Sequence, residues 1–113
     1  MNLRVSISAR AEADLTHQYR WYLANANLPV AERFLTAFDA TTIKLAQHPG
    51  LGRRLKFRAP ELSGFRSFPV AGRFGVHLVF YRADEGVLCI ERVMHGARDL
   101  PRRLLESREG EMF

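Results

Sequence analysis

Lysine and cysteine are nearly missing from this 113-residue chain, which has two lysines against fifteen arginines and a single cysteine, Cys89. One cysteine excludes an internal disulfide, and its position inside an apolar run makes it a small core residue rather than a reactive thiol. No apolar stretch is long enough to cross a bilayer, and the N-terminus lacks the apolar core of a secretory leader, so a cytoplasmic protein without membrane attachment is expected. The four histidines, His17, His48, His77 and His95, are scattered, so no Cys/His spacing supports zinc; no metal and no other cofactor is expected. The glycines fall at turns or in strands, and none opens a helix as a phosphate-binding loop would require. Serine–histidine–aspartate patterns and paired catalytic carboxylates are also missing.

What is present is a folding composition. Hydrophobic residues make up 47% of the chain and include eight phenylalanines, which argues against disorder and fits one domain over residues 1–113. The net charge is +5 and the pI about 10.1. Arginine in such excess favours flat, bidentate contacts with carboxylates or phosphates, so acidic protein and nucleic acid both qualify as partners. Charge is uneven: residues 1–52 carry five basic and four acidic side chains, residues 53–113 twelve and eight. Arg53-Arg54-Leu55-Lys56-Phe57-Arg58 holds four cations and no acid. With one interleaved aromatic it is a weak match to single-stranded nucleic-acid binding, and a solvated loop explains it equally well.

Patterning gives the order β-α-α-β-β-β-α. Leu3 to Ile7 alternates as a half-buried strand does. Ser8 is placed to cap a first helix whose apolar stripe is Ala11, Leu15, Tyr19, Tyr22, Leu23 and Ala26, with Trp21 at its edge or exposed. Asn25 to Pro29 breaks that helix and restarts a second, with Ala31, Phe34, Leu35, Phe38, Ile43, Leu45 and Ala46 mostly on one face, ending at His48-Pro49-Gly50-Leu51-Gly52. Two amphipathic helices with a short joint form a hairpin that needs a sheet to cover it. Arg53 to Gly64 reads as a loop, Phe65 to Val70 as a strand that Pro69 marks as edge or bulge, and Arg73 to Arg82 as the clearest strand. Alternation in that strand sends Phe74, Val76, Leu78 and Phe80 to the core and Arg73, His77, Val79 and Tyr81 to the other face. After the hairpin loop Ala83 to Gly86, Val87 to His95 is the last strand, its faces unassigned because neither parity is fully apolar. Asp99 and Pro101 open a short C-terminal helix, and residues 107–113 read as a frayed end. The fold class is α+β: an N-terminal strand, a helical hairpin on a small antiparallel sheet, and a short C-terminal helix.

Two constellations carry chemistry. Arg66, Arg73, His77, Tyr81 and His95 on and around the long strand form a set that can cleave RNA, arginine neutralising the charge of the phosphorane while histidine or tyrosine moves the proton. The same residues are also ordinary for a solvent-facing strand. Arg98, Arg102, Arg103 and Leu104 form a short basic segment that either docks in an acidic groove or lies back on the domain through its leucines.

Several segments stand in order along the chain: Ala13-Asp14-Leu15 and Tyr22, Ala31-Glu32-Arg33-Phe34, His48-Pro49-Gly50-Leu51-Gly52-Arg53, Leu62-Ser63-Gly64-Phe65-Arg66-Ser67-Phe68-Pro69-Val70, Leu78-Val79-Phe80-Tyr81-Arg82, and Val93-Met94-His95-Gly96-Ala97-Arg98-Asp99. In this order and at these spacings the chain resembles the RelE/ParE toxin superfamily, ParE-like branch, from Ser6 to about Leu105. The resemblance implies the toxin of a type II toxin–antitoxin system, neutralised by a cognate antitoxin whose C-terminal region wraps it, in a higher-order complex. For the ParE-like branch it implies a binder of DNA gyrase rather than an enzyme, with Arg66, Arg73, Tyr81, Arg98, Arg102, Arg103 and Leu104 as target- or antitoxin-binding residues. The RelE-like alternative is a ribosome-dependent mRNA endoribonuclease using Arg66, Arg73, His77, Tyr81, His95 and Arg98. The chain departs from that pattern, because the tyrosine expected after Arg98 is replaced by Leu100-Pro101-Arg102-Arg103-Leu104 and only Lys56 lies near the relevant loop. A degenerate member that binds antitoxin without toxicity is the third reading.

Overall fold

The structure, a computed structural model, describes residues 2–56 and 64–96. Strand β1 (Arg4–Ile7) leads into helix α1 (Ala9–Asn25) and helix α2 (Leu28–Gln47); after a 3-10 turn at Pro49–Leu51 come β2 (Arg53–Arg54), β3 (Arg66–Pro69), a second 3-10 turn at Gly72–Phe74, β4 (His77–Asp84) and β5 (Val87–His95). The expected C-terminal helix and the frayed end lie outside the described residues. No helix among the described residues is long and apolar enough to cross a membrane.

Local chemistry sets the helix ends. Ser8 caps α1, its hydroxyl accepting the Ala11 N–H at 3.0 Å, and the Asn27 carboxamide oxygen accepts the Val30 N–H at 3.0 Å to cap α2. Pro29 sits in the first turn of α2, where its missing N–H costs nothing. The α2 residues buried on the sheet are Ala31, Phe34, Phe38, Thr41, Thr42, Leu45 and Ala46. Ile43, expected on that stripe, is 59% exposed, because a step of two from Thr41 carries it round the helix. On α1 only Ala11 is buried, and Leu23 and Ala26 are exposed.

The sheet has five strands in the order β1-β5-β4-β3-β2. The β2–β3, β3–β4 and β4–β5 pairs are antiparallel, while β1 joins the edge of β5 in parallel, which makes the sheet mixed. Its return to the sheet is possible because the helical hairpin and three strands lie between β1 and β5. Strand β2 falls within the stretch read as a loop; it pairs only Arg53 with Ser67 and Arg54 with Arg66, so Pro69 lies past its end, where no ladder bond is asked of it. The β4–β5 turn is Glu85-Gly86, both at positive φ (46° and 80°), the geometry that a two-residue hairpin needs.

Two corrections concern faces. The core against the helices contains Val79 and Tyr81 with Phe34, Phe38, Leu45, Leu88, Ile90 and Val93, and His77 is buried with them, so the face expected to meet solvent is the buried one. Arg73 and Phe74 belong to the 3-10 turn, where Phe74 joins the core and Arg73 is exposed, as expected, whereas Val76 is 54% exposed, so the alternation does not run through this stretch. The pattern misleads because both parities are apolar: Phe65, Phe80 and Met94 are buried too, but outside that core cluster. In β5 a bulge explains the broken alternation. Phe80 pairs with Arg92 and Tyr81 with Ile90, leaving Glu91 as an extra residue, so the core side passes from Leu88 and Ile90 to Val93.

Candidate functional site

Where β4 begins and β5 ends, an open cleft of about 560 Å³ separates the strands from α1. His17, Gln18, Trp21 and Tyr22 line it from the helix, at the i, i+1, i+4 and i+5 spacing of one helical face; Val76, His77 and His95 line it from the strands. A smaller recess of about 200 Å³ shares His17, Gln18 and His95 and continues along β5 to Arg92 and Asp14.

Asp14 fixes α1 beside the cleft. Its carboxylate accepts Arg92 Nε at 2.7 Å, Arg92 Nη2 at 2.9 Å and the Val93 N–H at 2.9 Å. The Ser8 hydroxyl donates to the carbonyl of Glu91 at 2.8 Å, and the Ser8 N–H to Ile90 O at 2.9 Å. The start of α1 is thus pinned to the bulge of β5. Below the cleft, Tyr22, Phe34 and Phe74 form an aromatic triangle with centroid separations of 5.4, 5.5 and 5.6 Å.

His77 closes that floor. It is 2% exposed, its Nε2 is 2.9 Å from the Tyr22 hydroxyl, and its ring meets Phe34 at 4.9 Å and His95 at 5.5 Å. Burial, and secondarily the neighbouring His95, lower its pKa from 6.5 to about 4. Near neutrality the ring is therefore uncharged. Tyr22 keeps its proton, since burial pushes its pKa up against the opposing influence of Arg73. We assign the O–H of Tyr22 as donor and Nε2 of His77 as acceptor, which leaves the ring proton on Nδ1. A histidine in this state is no general acid at neutral pH, and its basic lone pair is engaged. His95, directly across the register from His77, is exposed at the cleft mouth.

The remaining candidates divide. Tyr81 is fully buried; its hydroxyl donates to Pro49 O at 2.7 Å and accepts the Gly52 N–H at 2.8 Å. Burial raises its pKa, against the Gly52 N–H and Arg66. Arg66 Nη1 donates to Gly52 O at 2.9 Å and Gly50 O at 3.4 Å. Both side chains therefore hold the Pro49–Gly52 turn, and Gly52 has to be glycine there, since a β-carbon would overlap the Tyr81 ring and hydroxyl. Arg73 is exposed, its guanidinium 5.8 Å from the centre of the Phe74 ring. Arg98, Arg102, Arg103 and Leu104 lie outside the described residues. The structure brings His77 and His95 together and assigns Arg66 and Tyr81 to a separate turn. The sequence pattern alone does not single out His17, Gln18, Trp21 and Tyr22 as a site; the available signal is the i, i+4 spacing of His17 with Trp21 and Gln18 with Tyr22. Among the described residues no group of three His, Cys, Asp or Glu side chains is placed to hold a metal ion.

Residues 5–100 match the model of a family described as the ParE toxin of the type II toxin–antitoxin system parDE. The fold is shared with solved toxin–antitoxin structures. Against the chromosomal ParDE system of P. aeruginosa the TM-score is 0.66 at 17% identity, covering 84% of this chain and 97% of that one. Against the RelBE2 toxin–antitoxin complex of Mycobacterium tuberculosis it is 0.59 at 26% identity, covering 86% and 94%. Against the YoeB dimer of Staphylococcus aureus it is 0.54 at 15% identity, covering 86% and 100%. None of the curated proteins matches the sequence significantly.

Proposed function

The chain belongs to the ParE toxin family of type II toxin–antitoxin systems, and from that premise we propose that it poisons its target by adhesion: it binds DNA gyrase, traps the enzyme on cleaved DNA, and is neutralised by a cognate antitoxin. The observation that carries this reading is how the side chains suited to cleaving RNA are used. His77 is buried and neutral with its lone pair on Tyr22, Tyr81 is buried in a turn, and Arg66 is spent on two backbone carbonyls. Of the candidates within the described residues, Arg73 and His95 are the exposed ones, and together they make no acid–base pair with a held phosphate. The antitoxin partner, in a higher-order complex, is supported by the company this fold keeps, since ParDE, RelBE2 and YoeB–YefM are all toxin–antitoxin assemblies. An acidic antitoxin suits the +5 charge, with steering by arginine and affinity from apolar burial.

The test is a supercoiling reaction with purified gyrase and plasmid. Linear, gyrase-cleaved plasmid accumulates with toxin and disappears when antitoxin is added; supercoiling that proceeds unaffected at large toxin excess overturns the proposal. The ribosome-dependent ribonuclease is the second reading, favoured by one observation: His95 is exposed beside His17 at the mouth of an open cleft.

A further inference from the structure

Charge is segregated across the sheet. Between Asp39 and Asp84 the sequence holds eight lysines and arginines and one acid, Glu61. Strands β2 and β3 lie in that stretch and end the sheet on one side. The two described ion pairs, Arg92–Asp14 and Arg82–Glu91, both involve β5, two or more strands away from β2. At the β2 edge Arg53 and Arg54 are both exposed, and Lys56 follows them, also exposed. Arg54 stands directly opposite Arg66 in the antiparallel register, an arrangement in which like charges repel. The described partners of Arg66 are the neutral carbonyls of Gly50 and Gly52. Among the described residues no carboxylate lies within ion-pair distance of Arg53, Arg54 or Arg66.

Cations set across one strand pair at the edge of the sheet, with no anion among the described residues to offset them, favour an anion from outside. The geometry points to this β2 edge as a docking surface for the phosphate backbone of duplex DNA. Successive strand residues face opposite ways, so Arg54 shares a face with Arg66 while Arg53 projects to the other, and the edge offers guanidinium groups on both sides to the phosphates of a duplex laid along it. An acidic peptide fits less well. A two-residue strand is too short to template an added strand, and an edge whose own side chains are both arginine gives a docking helix no apolar stripe. The inference goes beyond gyrase binding and needs no gyrase in its test, so either can fail alone.

The experiment is fluorescence anisotropy of a labelled DNA duplex of about 20 base pairs, titrated with full-length toxin from about 50 to 200 mM salt. Arg53→Gln/Arg54→Gln weakens binding about tenfold at the low-salt end and flattens the log–log salt slope by about 2, near 0.9 for each phosphate that is no longer neutralised. Arg20→Gln/Arg33→Gln, removing two exposed helix arginines, keeps the native slope. Thermal melting of the edge variant shows a stability equal to or above the native one, since a like-charge repulsion is relieved. Three results overturn the assignment: no duplex binding by the native toxin, equal loss in both double variants, or an edge that binds polyglutamate but not the duplex.

Discussion

Between pH 6.5 and 4 the unfolded chain takes up a proton at His77 that the folded chain refuses, because the folded pKa is held near 4 by burial and by His95. A base with a depressed folded pKa loses stability as pH falls through that window, and below it the contribution is constant. We predict that the unfolding free energy of the native protein, from urea titrations, falls more steeply from pH 7 to pH 4.5 than that of His77→Phe, the difference amounting to about 2–3 kcal/mol. A difference that does not change with pH contradicts this account of the ring. Tyr81 gives a second residue-scale prediction. Tyr81→Phe leaves the Pro49 carbonyl and the Gly52 N–H without their shared partner and costs about 1–3 kcal/mol in chemical denaturation. A loss near zero would mean that the turn does not depend on the phenol.

At the scale of elements, polar anchors reinforce the partly buried stripe of Leu15 and Tyr22 in holding α1 to the sheet. Ala11 is its one fully buried residue, while Asp14 ties it to Arg92 and the Val93 N–H, and Ser8 ties its cap to β5. Asp14→Ala therefore costs about 2–3 kcal/mol, and Asp14→Ala/Arg92→Ala costs less than the sum of the single changes, as measured by a double-mutant cycle in urea. Additive losses would show that the pair does not act as a unit. Elements with local signals were legible in the sequence: Ser8 before α1, Asn27 before α2 with Pro29 in its first turn, His48-Pro49-Gly50 after it, and Glu85-Gly86 at the hairpin. Sheet faces were not. Strand β4 is apolar on both parities, so alternation could not tell the side of Val79 and Tyr81 from that of Phe80, and β5 changes parity at the Glu91 bulge. The parallel pairing of β1 with β5 is a long-range choice that no local pattern encodes. The cleft was half legible. His77 and His95 stand out as types, but their juxtaposition needs the register, and Tyr22 reads as a stripe residue until its hydroxyl is seen on His77.

For the molecule as a whole, two polar arrangements of this basic α+β body of the ParE toxin family bear on function. Around the cleft, His77 and Tyr22 satisfy each other; at the far edge of the sheet, arginines gather without a counter-charge among the described residues. Among the described residues neither arrangement brings together an acid, a base and a phosphate clamp of the kind that cutting a nucleic acid uses. We propose, as the central claim, that toxicity comes from binding. Its most direct test is primer extension on a defined messenger in a cell-free translation reaction dosed with purified toxin. The account predicts full-length transcript at toxin concentrations that trap gyrase on DNA. Site-specific cuts that depend on translating ribosomes, and that vanish with His95→Ala, would contradict it.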